Sequence, residues 1–103
     1  MKITDTQDLL KQYKIDVKYI KDFIDNDPVE IQEAFYRRNE ILKNFDNLTW
    51  KEIKEFLAIE KEISKYLKLI KEKYPLFYEK IVEPQNEELK TKLIDIFITS
   101  QSY

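Results

Sequence analysis

Residues 49–74 read TWKEIKEFLAIEKEISKYLKLIKEKY, and this stretch decides the fold. It opens with Thr49 and, three residues later, Glu52, the capping-box pattern that satisfies free N–H groups at a helix N-terminus. Apolar residues then recur every three or four positions, as one face of an α-helix requires, and their phase holds to the end of the stretch. The pattern predicts one continuous helix over about 50–74, roughly 37 Å long. Pro75 is expected to break or kink it.

The clearest helix start in the chain lies upstream, at Asp27, Pro28 and Glu30. Aspartate is a favoured N-cap, proline at the first helical position lacks an N–H that would go unpaired anyway, and glutamate at the third position completes a capping box. A helix over 28–45 is predicted to follow. Because the connection to helix 50–74 is short, the two helices should pair as an antiparallel hairpin.

The remaining segments also show helical spacing, and no strand alternation or tight-hairpin pair occurs. The predicted fold class is therefore all-α, a compact antiparallel bundle of about five to six helices in one domain, 1–103. The chain is predicted to have four parts: a short helix pair (1–26), the long hairpin (27–74), C-terminal helices (75–98) and a polar tail (99–103). In the first part, Thr4 is expected to cap a helix that ends at about Tyr13, and Asp16 is expected to cap the second helix. A break between the C-terminal helices is expected at Glu83-Pro84.

The composition removes most catalytic chemistry, because the chain has no glycine, histidine or cysteine. It therefore lacks a side chain with an unperturbed pKa near neutrality, a thiolate nucleophile and a glycine-rich phosphate loop. Helical di-iron sites recruit Glu-x-x-His pairs, which are also excluded. We expect no enzyme, no catalytic residue, no cofactor, no metal and no small-molecule substrate.

Hydropathy and charge bear on where the protein is located and on what it can bind. No apolar run approaches the roughly 18 residues that span a bilayer, and the N-terminus has no apolar signal region, so we expect a cytoplasmic protein without a membrane partner. The net charge of −2 gives no indication of nucleic-acid binding. Residues 49–75 carry seven Lys against five Glu, so a polyanion would prefer this part of the chain. The Lys- and Ile-rich composition is also typical of small helical proteins of phage and other mobile elements.

Arg38 and Glu60 stand out because each falls within the apolar face of its helix. In an antiparallel hairpin they come within about one helical turn of each other. We predict a partly buried structural ion pair that fixes the register of the two helices more than it adds stability. In the alternative interpretation Arg38, with Arg37 beside it, faces a partner protein or an anion.

Residues 6–24 resemble a helix-turn-helix DNA-binding motif. The resemblance rests on the apolar spacing of Leu9, Leu10, Ile15, Ile20 and Phe23. It implies that the second helix of the pair enters the DNA major groove. The outward residues that would touch DNA are then Val17, Lys18, Tyr19 and Lys21. Lys14 stands where the family favours Gly in the turn.

Lysines also line one side of helix 50–74, at Lys54, Lys61, Lys65 and Lys68. Such a line could follow a phosphate backbone. Glutamates interleave it, which favours the interpretation as a solvated helix face.

The leading hypothesis is a non-enzymatic helical protein that binds another protein as an adaptor, inhibitor or assembly factor. The chain has more aromatic residues than a small core can bury, and exposed Tyr and Trp are favoured interface anchors. Tyr36 and Trp50 join Arg37 and Arg38 as candidate partner contacts. The alternative is a nucleic-acid-binding regulator that uses the N-terminal helix pair, and a homo-oligomer formed through an exposed aromatic face is a further option.

Overall fold

The N-terminal helix is capped by an aspartate. The computed structural model describes residues 5–101, and its first helix, α1, spans Thr6–Lys18. Asp5 has extended backbone geometry, and its carboxylate accepts a hydrogen bond from the Gln7 N–H at 3.2 Å. The predicted cap, Thr4, lies outside the described residues.

Helix α1 is continuous where the sequence pattern predicted a turn. The predicted end near Tyr13 and the predicted cap at Asp16 are wrong, because both residues lie inside α1. The chain leaves the helix at Tyr19, and α2 then spans Ile20–Asn26. Asp16 does not cap a helix because its carboxylate has a distant partner, Arg37, at 2.6 Å.

The predicted start of the third helix is confirmed. Helix α3 spans Pro28–Lys43, with proline in its first turn and the Asp27 carboxylate accepting from the Glu30 N–H. The helix ends slightly earlier than the predicted residue 45, and a 3₁₀ turn over Phe45–Asn47 follows.

The capping box at the next helix is also confirmed. Helix α4 spans Trp50–Ile63. The Glu52 N–H donates to Thr49 Oγ1 at 3.1 Å, and the Thr49 N–H donates to Glu52 Oε1 at 2.9 Å. This backbone hydrogen bond from Thr49 lowers the pKa of Glu52, because it favours the ionised carboxylate.

The long helix predicted over 50–74 is interrupted once. A 3₁₀ turn occupies Ser64–Tyr66, and α5 then spans Leu67–Lys73. The Ser64 hydroxyl donates to the Lys61 carbonyl at 2.7 Å, a local bond that bends helices. The interruption leaves no trace in the apolar spacing, which is why the sequence pattern predicted an unbroken helix. The helix ends before Pro75, as predicted.

The C-terminal part of the chain remains helical through a proline. Helix α6 spans Pro75–Phe77, a π-helical segment spans Tyr78–Val82, and α7 spans Glu83–Gln101. The π segment contains the Glu83 N–H donating to the Tyr78 carbonyl, five residues earlier. Such a widened turn relaxes the crowding that Pro84 imposes on the preceding carbonyls, so the predicted punctuation at 83–84 is wrong.

The predicted polar tail over 99–103 is helical as far as Gln101. Residues 102–103 lie outside the described part of the chain.

Packing brings the helices together around one apolar core. Helix α1 packs against both α3 and α4, and the first half of α7 packs against α3. Phe56 contacts the rings of Tyr13 and Phe45, with ring centroids 5.9 and 6.2 Å away. Phe45, in the 3₁₀ turn after α3, contacts Phe56 of α4, and Arg38 of α3 contacts Glu60 further along α4. Helices α3 and α4 therefore run in opposite directions. The all-α antiparallel bundle is therefore confirmed.

Candidate functional site

An apolar groove of about 600 Å³ separates α4 and α5 from α7. We call this the apolar groove. Its walls are Leu57, Lys61, Ser64 and Leu67 on one side and Leu89, Lys90, Leu93, Ile94 and Phe97 on the other, with Arg38, Glu60 and Asn86 at its floor. Ile94 is 49% exposed and Phe97 63% exposed, so the C-terminal half of α7 presents apolar surface that the bundle does not cover. Exposed apolar surface beside a groove is typical of a binding site.

The floor of the groove is a hydrogen-bonded network centred on Arg38. Its Nη2 lies 2.7 Å from Glu60 Oε1, and its Nε lies 3.0 Å from Glu60 Oε2. The same guanidinium donates to Asn86 Oδ1 at 2.8 Å and to Gln85 Oε1 at 3.5 Å. The Tyr13 hydroxyl donates to Glu60 from the other side. The network thus ties α1, α3, α4 and α7 together at one point.

The predicted partners Arg38 and Glu60 are in direct contact, and their burial is deeper than expected. The sequence pattern predicted a partly buried pair, whereas Arg38 is only 1% exposed. The alternative, in which Arg38 faces a partner protein or an anion, stays a prediction, since Arg38 also lines the floor of the apolar groove. Gln85 seals the network from α7, since its Nε2 donates to the Phe35 carbonyl at 2.9 Å.

Arg38 and Tyr13 of the network both have raised pKa values. Burial acts to lower the pKa of Arg38, but the hydrogen bonds and charge of Glu60 outweigh it and leave the pKa raised. Burial, together with the negative charge of Glu60, holds the pKa of Tyr13 well above its ordinary value. Arg38 therefore stays charged and Tyr13 stays protonated, which suits a structural network and not proton transfer.

The other predicted partner contacts lie away from the apolar groove. Tyr36 and Trp50 are exposed, and neither lines it. Arg37 is half-buried and holds Asp16 at 2.6 Å and Glu33 at 3.8 Å. The structure therefore uses Arg37 to join α3 to α1.

Of the residues predicted to touch DNA, Lys18, Tyr19 and Lys21 are exposed, but the prediction is wrong for Val17, which is buried in the core. The segment is not arranged as a helix-turn-helix. The motif needs a turn near Lys14, and α1 is helical there. The Lys18 ammonium lies 5.5 Å from the centroid of the Tyr19 ring, and Lys21 pairs with Asp25 at 3.8 Å. The likeness is therefore limited to the apolar spacing of the sequence and does not extend to the backbone.

The predicted lysine line is exposed and is divided by the 3₁₀ turn. Lys54, Lys61, Lys65 and Lys68 all lie on the surface. Lys65 pairs with Glu62 at 3.1 Å. Lys65 lies within the 3₁₀ turn at Ser64–Tyr66, so the four lysines do not share one unbroken α-helix. Lys61 alone of the four lines the apolar groove.

Sequence reasoning missed Tyr13, Gln85, Asn86 and the groove itself. The first three are polar side chains whose role depends on contacts across the bundle, which helical spacing does not encode. A signal for the groove was present in α7, where Ile94, Ile96, Phe97 and Ile98 follow one another closely. These residues cover more than one face of a helix, so a single packing partner cannot bury them all.

A second groove, of about 990 Å³, lies between α1 and α4. Its lining mixes the two charge signs. Helix α1 contributes Asp8, Lys11, Lys14 and Lys18, and α4 contributes Glu55 and Glu62. It therefore offers a less distinctive chemistry than the apolar groove.

Asp16 gives a pH-dependent prediction. Burial raises its pKa above the ordinary 3.8, although the hydrogen bond and charge of Arg37 act in the opposite direction. The folded state then binds this proton more tightly than the unfolded state, so the contribution of Asp16 to stability grows as the pH falls through the folded-state pKa. Urea titrations measure the free energy of unfolding of the wild type and of Asp16→Asn. We expect the wild-type value minus the variant value to increase as the pH is lowered from 7 to 4. A difference that falls over this range contradicts the assignment.

Within residues 5–101, no group of three or more acidic side chains is arranged to hold a metal ion. The same residues include no helix that is both long and apolar enough to cross a bilayer. No family model matches the sequence, and neither the curated proteins nor the solved structures contain a significant match.

Proposed function

We propose that this chain is a non-catalytic cytoplasmic protein that acts by binding another protein through the apolar groove, as an adaptor, inhibitor or assembly factor. The observation that carries the proposal is the exposed apolar wall of α7, where Ile94 and Phe97 stand beside a groove whose opposite wall is Leu57 and Leu67.

The physical case rests on apolar surface held in a fixed shape. Covering such surface contributes about 25 cal/mol per Å² removed from water. Aromatic side chains are enriched at the centres of protein interfaces, and Phe97 supplies one at the rim of this groove. The floor is already ordered, because Arg38 ties α7 to three other helices, so a partner would meet a preorganised surface.

A capture experiment tests the proposal. Immobilised wild-type protein is compared with Phe97→Asp and with Val29→Asp, using an extract of the source organism. Phe97 and Val29 are both 63% exposed, but Val29 does not line the apolar groove. An unpaired carboxylate in an apolar contact should weaken binding at least about tenfold. We therefore expect Phe97→Asp to lose a protein that the wild type and Val29→Asp both retain.

Two results count against the proposal. One is equal recovery of every captured protein by Phe97→Asp and the wild type. The other is loss of the captured protein after nuclease treatment of the extract, which would indicate binding through nucleic acid.

A further inference from the structure

We infer that the occupant of the apolar groove is an amphipathic α-helix of the partner protein, with acidic residues flanking its apolar face. This inference rests on the proposed function and adds the chemical class of the partner.

The shape of the groove suits a helix. Both walls are helical, and their lining positions recur every three or four residues. These are positions 57, 61, 64 and 67 along α4, the 3₁₀ turn and the start of α5, and positions 89/90, 93/94 and 97 on α7. From Asn86 at the floor to Phe97, the α7 side of the groove is about 16 Å long at 1.5 Å per residue, which is three helical turns. A third helix lying between the two walls would place anchors at positions i, i+3 or i+4, and i+7.

The chemistry of the lining favours a helix over an extended peptide. An extended segment carries backbone N–H and C=O groups that need partners when they are buried. The walls are mainly aliphatic and aromatic, and the polar side chains at the floor, Arg38, Glu60 and Asn86, already bond to one another. A helix satisfies its own backbone groups and presents only side chains to the groove.

The charges on the rim select acidic flanks. Arg38 and Glu60 neutralise each other, which leaves Lys61 on one wall and Lys90 on the other as the net charge of the lining. Both lysines are exposed, and neither forms an ion pair with any residue in 5–101. The groove is therefore positive in a chain whose net charge is −2. Complementary charges across an interface favour the matching partner and disfavour the wrong one.

The same lysines disfavour a second copy of this chain as the occupant. A symmetric dimer uses the same patch on both subunits, so it would bring two positive grooves together. Like charges placed opposite one another at an interface oppose association.

Two synthetic peptides test the inference directly. Both are about 18 residues long and share one apolar stripe, but one carries Glu and the other Lys at the positions that flank the stripe. Fluorescence anisotropy measures the binding of each peptide to the full-length protein at low and at physiological salt. We expect the Glu peptide to bind at least about tenfold more tightly at low salt, with a smaller ratio as salt screens the charges.

Charge reversal on the protein provides the matched comparison. Lys61→Glu/Lys90→Glu should invert the preference, so that the Lys peptide binds more tightly. Lys51→Glu/Lys80→Glu changes two exposed lysines outside the groove and should leave the preference unchanged. Phe97→Asp should weaken binding of the Glu peptide by about tenfold without altering the helicity of the protein.

The outcomes separate the inference from the proposed function. Equal binding of the two peptides, lost in Phe97→Asp, overturns the acidic flanks and leaves the groove as the protein-binding site. Binding of neither peptide, with a captured protein still lost in Phe97→Asp, overturns the helical occupant alone. A dimer detected by sedimentation and abolished by Phe97→Asp assigns the groove to a second copy and overturns the inference. Displacement of the Glu peptide by duplex DNA also overturns it.

Discussion

Replacing Arg38 with Met is expected to lower the free energy of unfolding by about 3–5 kcal/mol, because it leaves Glu60 as a buried charge without its partner. The loss is large relative to the total stability of a small domain, which is about 5–15 kcal/mol. Asn86 and Gln85 also lose the donor that connects α7 to the bundle. Urea unfolding, followed by circular dichroism, measures the change.

The double variant Arg38→Met/Glu60→Met separates the cost of an unpaired buried charge from the contribution of the ion pair itself. With both charges removed, no buried ion remains unpaired, and replacement of buried pairs by apolar residues is often neutral or stabilising. We expect the double variant to recover most of the stability that Arg38→Met loses. Lys43→Met, which removes an exposed pair with Glu40, serves as the control and should change stability by less than about 0.5 kcal/mol. A loss of less than about 1 kcal/mol in Arg38→Met would show that water reaches Glu60.

The helix starts were predictable because their chemistry is local. Asp27 and Thr49 cap helices through hydrogen bonds to residues three positions along, so the evidence lies within four consecutive residues. The meeting of Arg38 and Glu60 was predictable for a related reason. Helical phase placed each on an apolar face, and the short turn between the helices fixed which residues lie opposite.

The interruptions and the groove depend on interactions that helical spacing does not contain. The break after Tyr13 was predicted from Asp16 as the cap of a second helix, but Asp16 pairs with Arg37 from another helix. The π segment before Pro84 and the 3₁₀ turn after Ile63 change the backbone without changing the apolar pattern. The groove arises from the relative placement of α4 and α7, which sequence spacing leaves undetermined.

Two phenylalanines that both belong to apolar stripes in the sequence have different roles, Phe56 in the core and Phe97 on the surface. Replacing each with alanine distinguishes the two roles. Phe56 is 0% exposed and packs against Tyr13 of α1 and against Phe45 in the 3₁₀ turn after α3. Phe56→Ala is expected to lower the free energy of unfolding by about 3–5 kcal/mol, since it removes buried apolar contacts and leaves a cavity. Phe97 is 63% exposed, so Phe97→Ala should change stability by no more than about 0.5 kcal/mol.

Binding should show the opposite order of effects for the two positions. Phe97→Ala is expected to weaken binding of the partner, although the variant unfolds at nearly the same urea concentration as the wild type. Phe56→Ala, studied at a temperature where it remains folded, should bind close to normally because Phe56 does not line the apolar groove. Calorimetric binding and urea unfolding on the same preparations measure both quantities. If Phe97→Ala lost stability as Phe56→Ala does, α7 would be held to the bundle by Phe97, and that side chain would belong to the core and not to a surface that receives a partner.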